Sequence, residues 1–428
     1  MGLNNCTHNN HLKVNNRKFH WTVIGLVVIA CCFIFEGKAQ LTNRIQLSDS
    51  NYVGINLPNV LSTHPLGEFM SRVAPNFKTA VDANISLYFG EYNGNVFSPL
   101  TTAYFPVNAA DRNFMAARTW NNRVYWFATY HYPSTSASFV AEGVLRAYQM
   151  KLNIPLGKNQ EISFSPRMFS LDKGYAPYSI ITNDESIEWF HSNIAGGNDP
   201  FGRRFYGFHH AIIHYVDEAG HSLNVNPNQL VFGGFESDYM VYPKWPKLNK
   251  RRYFINLMGH FGMNTTAYNP TIDLGGSFSL VKRIPLKNGK EISLGINAGA
   301  LRNGLIQYAI GDRVSFATSN WIYNLSGQFE YKKPLRKNRT ISFGLNYFFQ
   351  SWYDNRTPYN YVVFMGIRHT TFWPYSMLTL YKHLEGETFV VGYTVGKMYY
   401  FTYIREDLLV DNSPDIQTGF GFKINFGK

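Results

Sequence analysis

Residues 284–297 read IPLKNGKEISLGIN, and this stretch decides how the rest of the chain is read. After Glu291 the residues alternate: Ile292, Leu294 and Ile296 are apolar, and Ser293, Gly295 and Asn297 are small or polar. The phrase recurs as IPLGKNQEISFSP from Ile154 and as KPLRKNRTISFGLN from Lys333. Successive strand side chains point to opposite faces. Each copy therefore reads as the end of one strand, a tight turn and the start of the next. Proline ends the first strand because it cannot donate to the ladder, and Lys-Asn-Gly or Lys-Asn-Arg makes the turn.

The same alternation runs through much of the chain. Tyr148, Met150, Leu152 and Ile154 alternate with Gln149, Lys151 and Asn153. Tyr253, Ile255, Leu257 and Phe261 frame Asn256 and His260, and Leu325, Phe329 and Tyr331 frame Ser326, Gln328, Glu330 and Lys332. Ile341, Phe343, Leu345 and Tyr347 frame Ser342, Gly344 and Asn346, and Phe420, Phe422, Ile424 and Phe426 frame Gly421, Lys423 and Asn425. A soluble sandwich alternates too, with its apolar face inward. Three features favour a membrane barrel. The segments run about 10–14 residues, close to the ~9–11 that a tilted strand needs to cross a bilayer. Aromatics gather at Tyr347–Phe349–Trp352–Tyr353 and Tyr399–Tyr400–Phe401–Tyr403, as interfacial girdles require. The polar face is rich in Gly, Ser and Asn, which suits a wet or polar lumen.

Composition agrees. Of 428 residues, 17% are aromatic and only 16% charged, whereas a soluble domain carries about 25% charged residues. Lys13, Arg17 and Lys18 precede a mostly apolar run from Trp21 to Phe35, followed by EGKAQ. That order is a secretory signal peptide over residues 1–40, with cleavage near Ala39 or Gln40. A signal anchor, or acylation at Cys31, are the other readings of the run. Cys6, Cys31 and Cys32 are the only cysteines, so a mature chain without residues 1–40 excludes disulfides, zinc-thiolate sites and cysteine nucleophiles together. Its net charge falls from +12 to 12 − 4 + 1 = +9. A basic exported surface suits anionic lipid or polysaccharide rather than nucleic acid.

The expectation is an all-β fold: a transmembrane antiparallel up-and-down β-barrel of about 14 strands, in a range of roughly 12 to 16, over residues 79–428. Residues 41–78 carry no clean strand and read as a periplasmic N-terminal segment or a partial plug. The turns at 157–160, 287–290 and 336–339 belong at one end, in the periplasm, and Asp172–Arg203 at the other. Between Glu161 and Leu286 five strand candidates appear where an even number is required. Splitting Ser222–Tyr242 near Asn226 to Asn228, or at Gly233-Gly234, restores the parity. The closing strand, GFGFKINFGK, suits recognition by the outer-membrane barrel-assembly machinery.

Two stretches resemble something more particular. ESIEWFHSNIAGGNDPFGRRFYGF from Glu185 is similar to an Ile-Glu-x-x-His, Gly-rich, then Gly-Arg segment. YIREDLLVDNSPDIQTGFGF from Tyr403 is similar to a Glu-Asp pair followed by Ser-Pro-Asp before a last strand. Both resemble a family of bacterial outer-membrane barrels known only as a domain of unknown function. The resemblance implies a barrel and an outer-membrane address, and no activity.

The candidate chemistry is thin. His191, Ser192 and Asn193 resemble the His, Ser and Asn of outer-membrane phospholipases, except that there the His and Ser are on alternate residues and here they adjoin. The alternative is a loop in which His191, Glu188 and Arg203 hold one another. His209, His210 and His214 hint at a metal, yet on a strand His210 and His214 stand roughly 13 Å apart, so girdle and lumen positions suit them better. Lumen-lining candidates are Lys151, His260, Asn297, Gln328, Glu330, Lys332, Asn346, Arg368 and Lys423. Of these, Lys151, Glu330, Lys332, Arg368 and Lys423 make either an ion-pair network that fills a narrow barrel or a cation-rich lining favouring anionic solutes. PKWPKLNKRR at Pro243 suits an interfacial turn near anionic head groups. The leading functional expectation is a non-enzymatic outer-membrane barrel, a passive pore or a structural barrel. It needs no cofactor or metal, and its surroundings are outer-membrane lipid and lipopolysaccharide. The alternatives are a lipid hydrolase built on His191 and Ser192, and an interaction or glycan-binding barrel using long loops at Asn93–Ser138 and Asp172–Arg203.

Overall fold

The computed structural model describes residues 64–426, apart from 131, 176–178, 180, 196, 198–202, 309–312, 337, 367–374 and 408–415. The proposed signal peptide, residues 41–63 and Arg368 lie outside the described residues. Fifteen strands, numbered in chain order, form a single sheet. They are β1 (Ser86–Pro106), β2 (Ser134–Pro155), β3 (Gln160–Asp172), β4 (Ile212–Val216), β5 (Ser222–Val225), β6 (Val231–Val241), β7 (Tyr253–Asn264), β8 (Thr271–Pro285), β9 (Glu291–Gln307), β10 (Trp321–Leu335), β11 (Arg339–Gln350), β12 (Val363–Gly366), β13 (Leu384–Val395), β14 (Met398–Asp407) and β15 (Ile416–Asn425).

The sheet closes because β1 has partners on both edges. Ser86 to Gly94 pair with Asn425 to Gln417 of β15, and Ser86 to Pro106 pair with Asn153 to Ser134 of β2. Twelve strands make the ring, in the order β1, β2, β3, β6, β7, β8, β9, β10, β11, β13, β14, β15, every pair antiparallel. Closure removes the sheet edges, which is what makes such a sheet viable in hydrocarbon.

Twelve is two fewer than the expected 14 and the lower bound of the expected range of 12 to 16. The surplus arises where the parity failed. β4 and β5 form a hairpin that pairs only with the distal half of β2, at Ser138 to Glu142, and so stand outside the ring. β12 likewise pairs with the distal part of β1, at Thr101 to Tyr104. Four ring strands then separate the turns at 157–160 and 287–290, and the break between β5 and β6 falls at residues 226–230. The strands β1 and β2 are long, 21 and 22 residues, so Asn93 to Pro106 and Ser134 to Ser138 are strand rather than loop. The connection between them is 107–133 and carries two helices, Ala109–Ala116 (α1) and Arg123–Tyr130 (α2).

The repeated phrase builds the same strand register three times. Pro155, Pro285 and Pro334 pair with Glu161, Glu291 and Thr340. Asn288 and Asn338 take left-handed φ of 59° and 55°, a region that Asn tolerates better than most residues. The connections 156–159, 242–252, 286–290, 336–338 and 396–397 share this short-turn end. The long-loop end holds 107–133, 173–230, 265–270, 308–320 and 351–383. There Leu66, Phe69, Met70, Phe139, Phe169, Ile213, Phe316 and Leu380 are buried together, as part of an apolar cluster that continues down the lumen to Tyr242.

The strand faces are inverted relative to a soluble protein. On the outside, Phe164, Phe235, Leu257, Phe278, Ile296, Leu325, Phe389 and Phe420 are each 42–56% exposed. On the inside, Asn256, His260, Glu291, Asn297, Ser326, Gln328 and Glu330 are buried.

Candidate functional site in the barrel lumen

The chain from His64 to Asp82 runs through the lumen without a sheet partner, opening with a single 3-10 turn at Pro65–Phe69 and continuing as an irregular segment. Such a backbone leaves its carbonyls unpaired, at about 1–3 kcal/mol each when buried. Side chains of the wall and of the 265–270 loop donate to them instead. Asn269 donates to the carbonyl of Phe69 at 2.9 Å, Asn324 to Val73 at 2.9 Å and Asn256 to Asn76 at 2.7 Å. Arg167 of β3 donates to the carbonyls of Glu68 and Met70, and pairs with Glu236 at 3.2 Å. In return, the Arg72 N–H donates to Glu236 at 3.1 Å and the Ser71 hydroxyl to Asp273 at 2.8 Å.

Glycines give the segment its room. A Cβ built on Gly262 of β7 would stand 2.1 Å from Ser71 Oγ. One on Gly275 would stand 2.6 Å from Val73, one on Gly295 2.5 Å from the Phe77 ring, and one on Gly233 3.0 Å from the Glu68 carbonyl. These glycines, read from the sequence as part of the lining of a wet or polar lumen, are where the wall meets an extended chain.

Nearer the short-turn end a compact charge cluster ties the segment to the wall. Lys78 pairs with Glu161 of β3 and stands 3.3 Å from Asp82. Lys423 of β15 reaches both oxygens of Asp82 at 2.8 Å. Ser86 donates to Asp82 at 2.7 Å and Tyr242 to Glu161 at 2.6 Å. Two ammonium groups thus face two carboxylates, all buried or nearly so, and the desolvation of each charge is offset by an opposite neighbour.

The wall beside β1, β14 and β15 is filled differently. Tyr88 packs on Phe401 with ring centroids 5.2 Å apart, and Tyr92 on Tyr403 at 5.5 Å. Gly419 and Gly421 leave space for these rings. This corrects the expected girdle. Phe401 and Tyr403 point inward and are 4% and 3% exposed, and only Tyr400 of that run faces out. Tyr353 is buried too, beneath the long loops.

Of the sequence-derived lumen candidates, Lys151 bonds Asp238 at 2.8 Å and His260 Nδ1 lies 2.7 Å from the same carboxylate. Asn297 donates to Ser279 at 2.8 Å, a bond along the wall. Lys423 belongs to the cluster above. Gln328 and Glu330 are buried on the inner face, while Asn346 and Lys332 are part-exposed at matching inward positions. Sequence reasoning missed Arg167, Asn324 and Glu161 of the wall and Asn269 of the 265–270 loop as segment ligands, and Asp82 as the segment's own anchor. The inward parity of the three wall residues was legible; the segment they serve carries no alternation to name its partners.

The histidine candidates do not converge. Residues 191–195 continue the helix Asp184–Phe190 (α3) as a wide turn. There His191 Nδ1 lies 3.1 Å from the Ile187 carbonyl, the Ser192 hydroxyl accepts from Arg204 at 3.3 Å, and Asn193 donates to Trp189 at 2.8 Å. Glu188 pairs with Arg204, and Arg203 is fully buried against Asn95 and Asp184. His209 pairs with Glu185, His210 with Glu142 at 3.0 Å, and His214 with Asn224. All three lie in or beside the β4 hairpin at the long-loop end, not in a girdle or lumen. Among the described residues no group of His, Cys, Asp and Glu could hold a metal.

Over the segment's entry, Asp354 accepts from the Thr318 N–H at 2.9 Å and from its hydroxyl at 3.3 Å. Burial outweighs these bonds and pushes the Asp354 carboxyl up to about 6.

No known family profile matches the chain, so the resemblance to a domain-of-unknown-function family assigns it to none. No curated protein matches either. Among solved structures the chain is similar to an outer membrane channel from Pseudomonas putida F1, at 9% identity and TM-score 0.37, over 83% of this chain and all of that one. It is similar to CdiB from Acinetobacter baumannii at 9% identity and TM-score 0.31, over 82% of this chain and 61% of that one. The β domain of the Bordetella autotransporter BrkA gives 7% identity and TM-score 0.32, over 80% of this chain and all of that one. At such scores these likenesses bear no weight for function; the barrel rests on its own strand pairing.

Proposed function

We propose that the protein is an integral outer-membrane β-barrel that performs no chemistry and whose lumen is filled by its own N-terminal segment. The inverted faces carry the first half of this reading. A band of large apolar side chains on the outside, with amides and ion pairs on the inside, is stable only where hydrocarbon surrounds the barrel. The short turns then face the periplasm and the long loops the exterior. Export through the general secretory pathway, and assembly through β15 and Phe426, fit that address.

The occupied lumen favours the structural form over the passive pore. Lys151 and Lys423, read from sequence as a lining for anions, are each engaged by a carboxylate. A solute would have to displace the segment and its wall ligands together. No observation favours lipid hydrolysis, because His191 faces a backbone carbonyl and Ser192 faces Arg204.

Planar-bilayer recording tests the reading. The refolded protein should give no steady conductance, and a variant lacking residues 64–82 should open a pore narrowed by the Tyr88, Tyr92 and Phe401 wall. Large, steady openings in the intact protein would refute the filled lumen.

A further inference from the structure

The two ends of the barrel differ sharply in charge. The five connections at the short-turn end hold eleven Lys or Arg and no Asp or Glu: one base in 156–159, five in 242–252, two in 286–290, two in 336–338 and one in 396–397. The five connections at the other end hold ten bases against nine acids. The excess is therefore a property of one rim, not of the whole basic chain.

The bases do not stand alone. Beside each of four turns an apolar side chain is also exposed: Leu156, Trp245, Leu286 and Leu335, at 54%, 51%, 38% and 41%. Around Trp245, residues Lys244, Lys247, Lys250, Arg251 and Arg252 are exposed on the helix Pro246–Lys250 (α4) and its flanks. Lys282 of β8 lies over the Tyr253 ring at 3.9 Å and donates to the Arg251 carbonyl, so it steadies the same corner.

We infer that this rim is a docking surface for anionic phospholipid head groups of the adjoining leaflet. A soluble acidic partner needs the positive charge alone. A lipid surface needs positive charge together with apolar groups that dip below the phosphates, and every one of these four turns carries both. Bases held at a membrane surface attract anionic lipid within about a Debye length. The inference rests on the membrane-barrel reading above.

Electron spin resonance of the refolded barrel in phosphatidylcholine vesicles provides the test, with a small share of spin-labelled phosphatidylglycerol or spin-labelled phosphatidylcholine. The labelled phosphatidylglycerol should be immobilised at least about fivefold more strongly, the effect of a single surface base, and 0.5 M salt should cut the difference. A variant with Lys244, Lys247, Lys250, Arg251 and Arg252 all changed to Gln should lose most of the preference. Arg251→Lys with Arg252→Lys should keep it. Equal immobilisation of the two lipids by a correctly refolded barrel overturns the inference and leaves the barrel standing. A preference unchanged in the Gln variant overturns its assignment to this rim. Binding of soluble polyglutamate without lipid preference overturns it in favour of an acidic protein partner. Failure to insert into vesicles of any composition overturns the membrane-barrel reading itself, and this inference with it.

Discussion

Gly262→Ala isolates the contact between wall and segment with a single methyl group. The new Cβ would lie 2.2 Å from Ser71 Cβ, and ordinary contact begins at 3.4 Å. Ser71 must retreat by 3.4 − 2.2 = 1.2 Å. Its hydroxyl bond to Asp273, now 2.8 Å, does not survive a movement of that size along its axis. Overpacking of this kind costs about 1–3 kcal/mol, and loss of a bond to a charged acceptor adds about 1.5–3 kcal/mol where the donor finds no other partner. Gly327 of β10 is the control, because a Cβ there meets nothing within 4 Å. Gly327→Ala should be neutral or stabilise by up to about 1 kcal/mol, since Gly weakens a strand interior. The assay is urea unfolding of the refolded barrel in lipid vesicles, with proteolysis of the 64–82 segment followed in parallel. Gly262→Ala should lower the midpoint by at least about 2 kcal/mol relative to Gly327→Ala and release the segment to protease. Equal midpoints and equal protection in the two variants would refute the close packing of Ser71 on β7.

Other consequences follow from the charge cluster, the outer face and the loop end. Asp82→Asn should destabilise by about 3–5 kcal/mol by leaving Lys423 buried without its carboxylate, and adding Lys423→Met should recover most of the loss in the same urea titration. Leu325→Arg should cost about 2–4 kcal/mol on the lipid face, whereas Leu325→Ile should change the midpoint little; equal effects would mean that β10 does not face hydrocarbon. Because the folded Asp354 carboxyl is raised from 3.8 to about 6, the folded state holds its proton more tightly than the unfolded chain. Its contribution is then full below pH 4 and lost as pH rises through about 6, on the order of 3 kcal/mol in all. Asp354→Asn should flatten that slope in stability measured from pH 4 to 7.

The wall of this barrel is written in the chain almost residue by residue. Leu294, Ile296, Leu325 and Phe329 alternate with Ser293, Asn297, Ser326 and Gln328, and a period of two has only one way to place them on a closed sheet. The three proline turns were equally plain, because a Pro that ends a strand is a local requirement, joined in two of them by a left-handed Asn. What alternation hides is anything that does not alternate. Tyr399, Phe401 and Tyr403 have the parity of a face, but nothing local says which face is inner when glycines opposite make room for rings. The β4–β5 hairpin and β12 look like ring strands because strand propensity is local and ring membership is not. The segment Leu66 to Asp82 has no period at all. Its place in the lumen depends on Arg167, Asn269 and Asn324, which lie 99, 200 and 251 residues from their partners.

Hydrogen exchange on the unmodified, refolded protein asks directly whether that segment fills the lumen. Peptides covering residues 68–82 carry few regular backbone bonds, so outside the barrel their amides would exchange in seconds. Held against Glu236, Glu161 and the inward asparagines, they should instead be protected for minutes to hours, alongside peptides from β7 and β9. Exchange of residues 68–82 at the rate of an unstructured chain, while the β7 and β9 peptides stay protected, would contradict the filled lumen and restore the open pore.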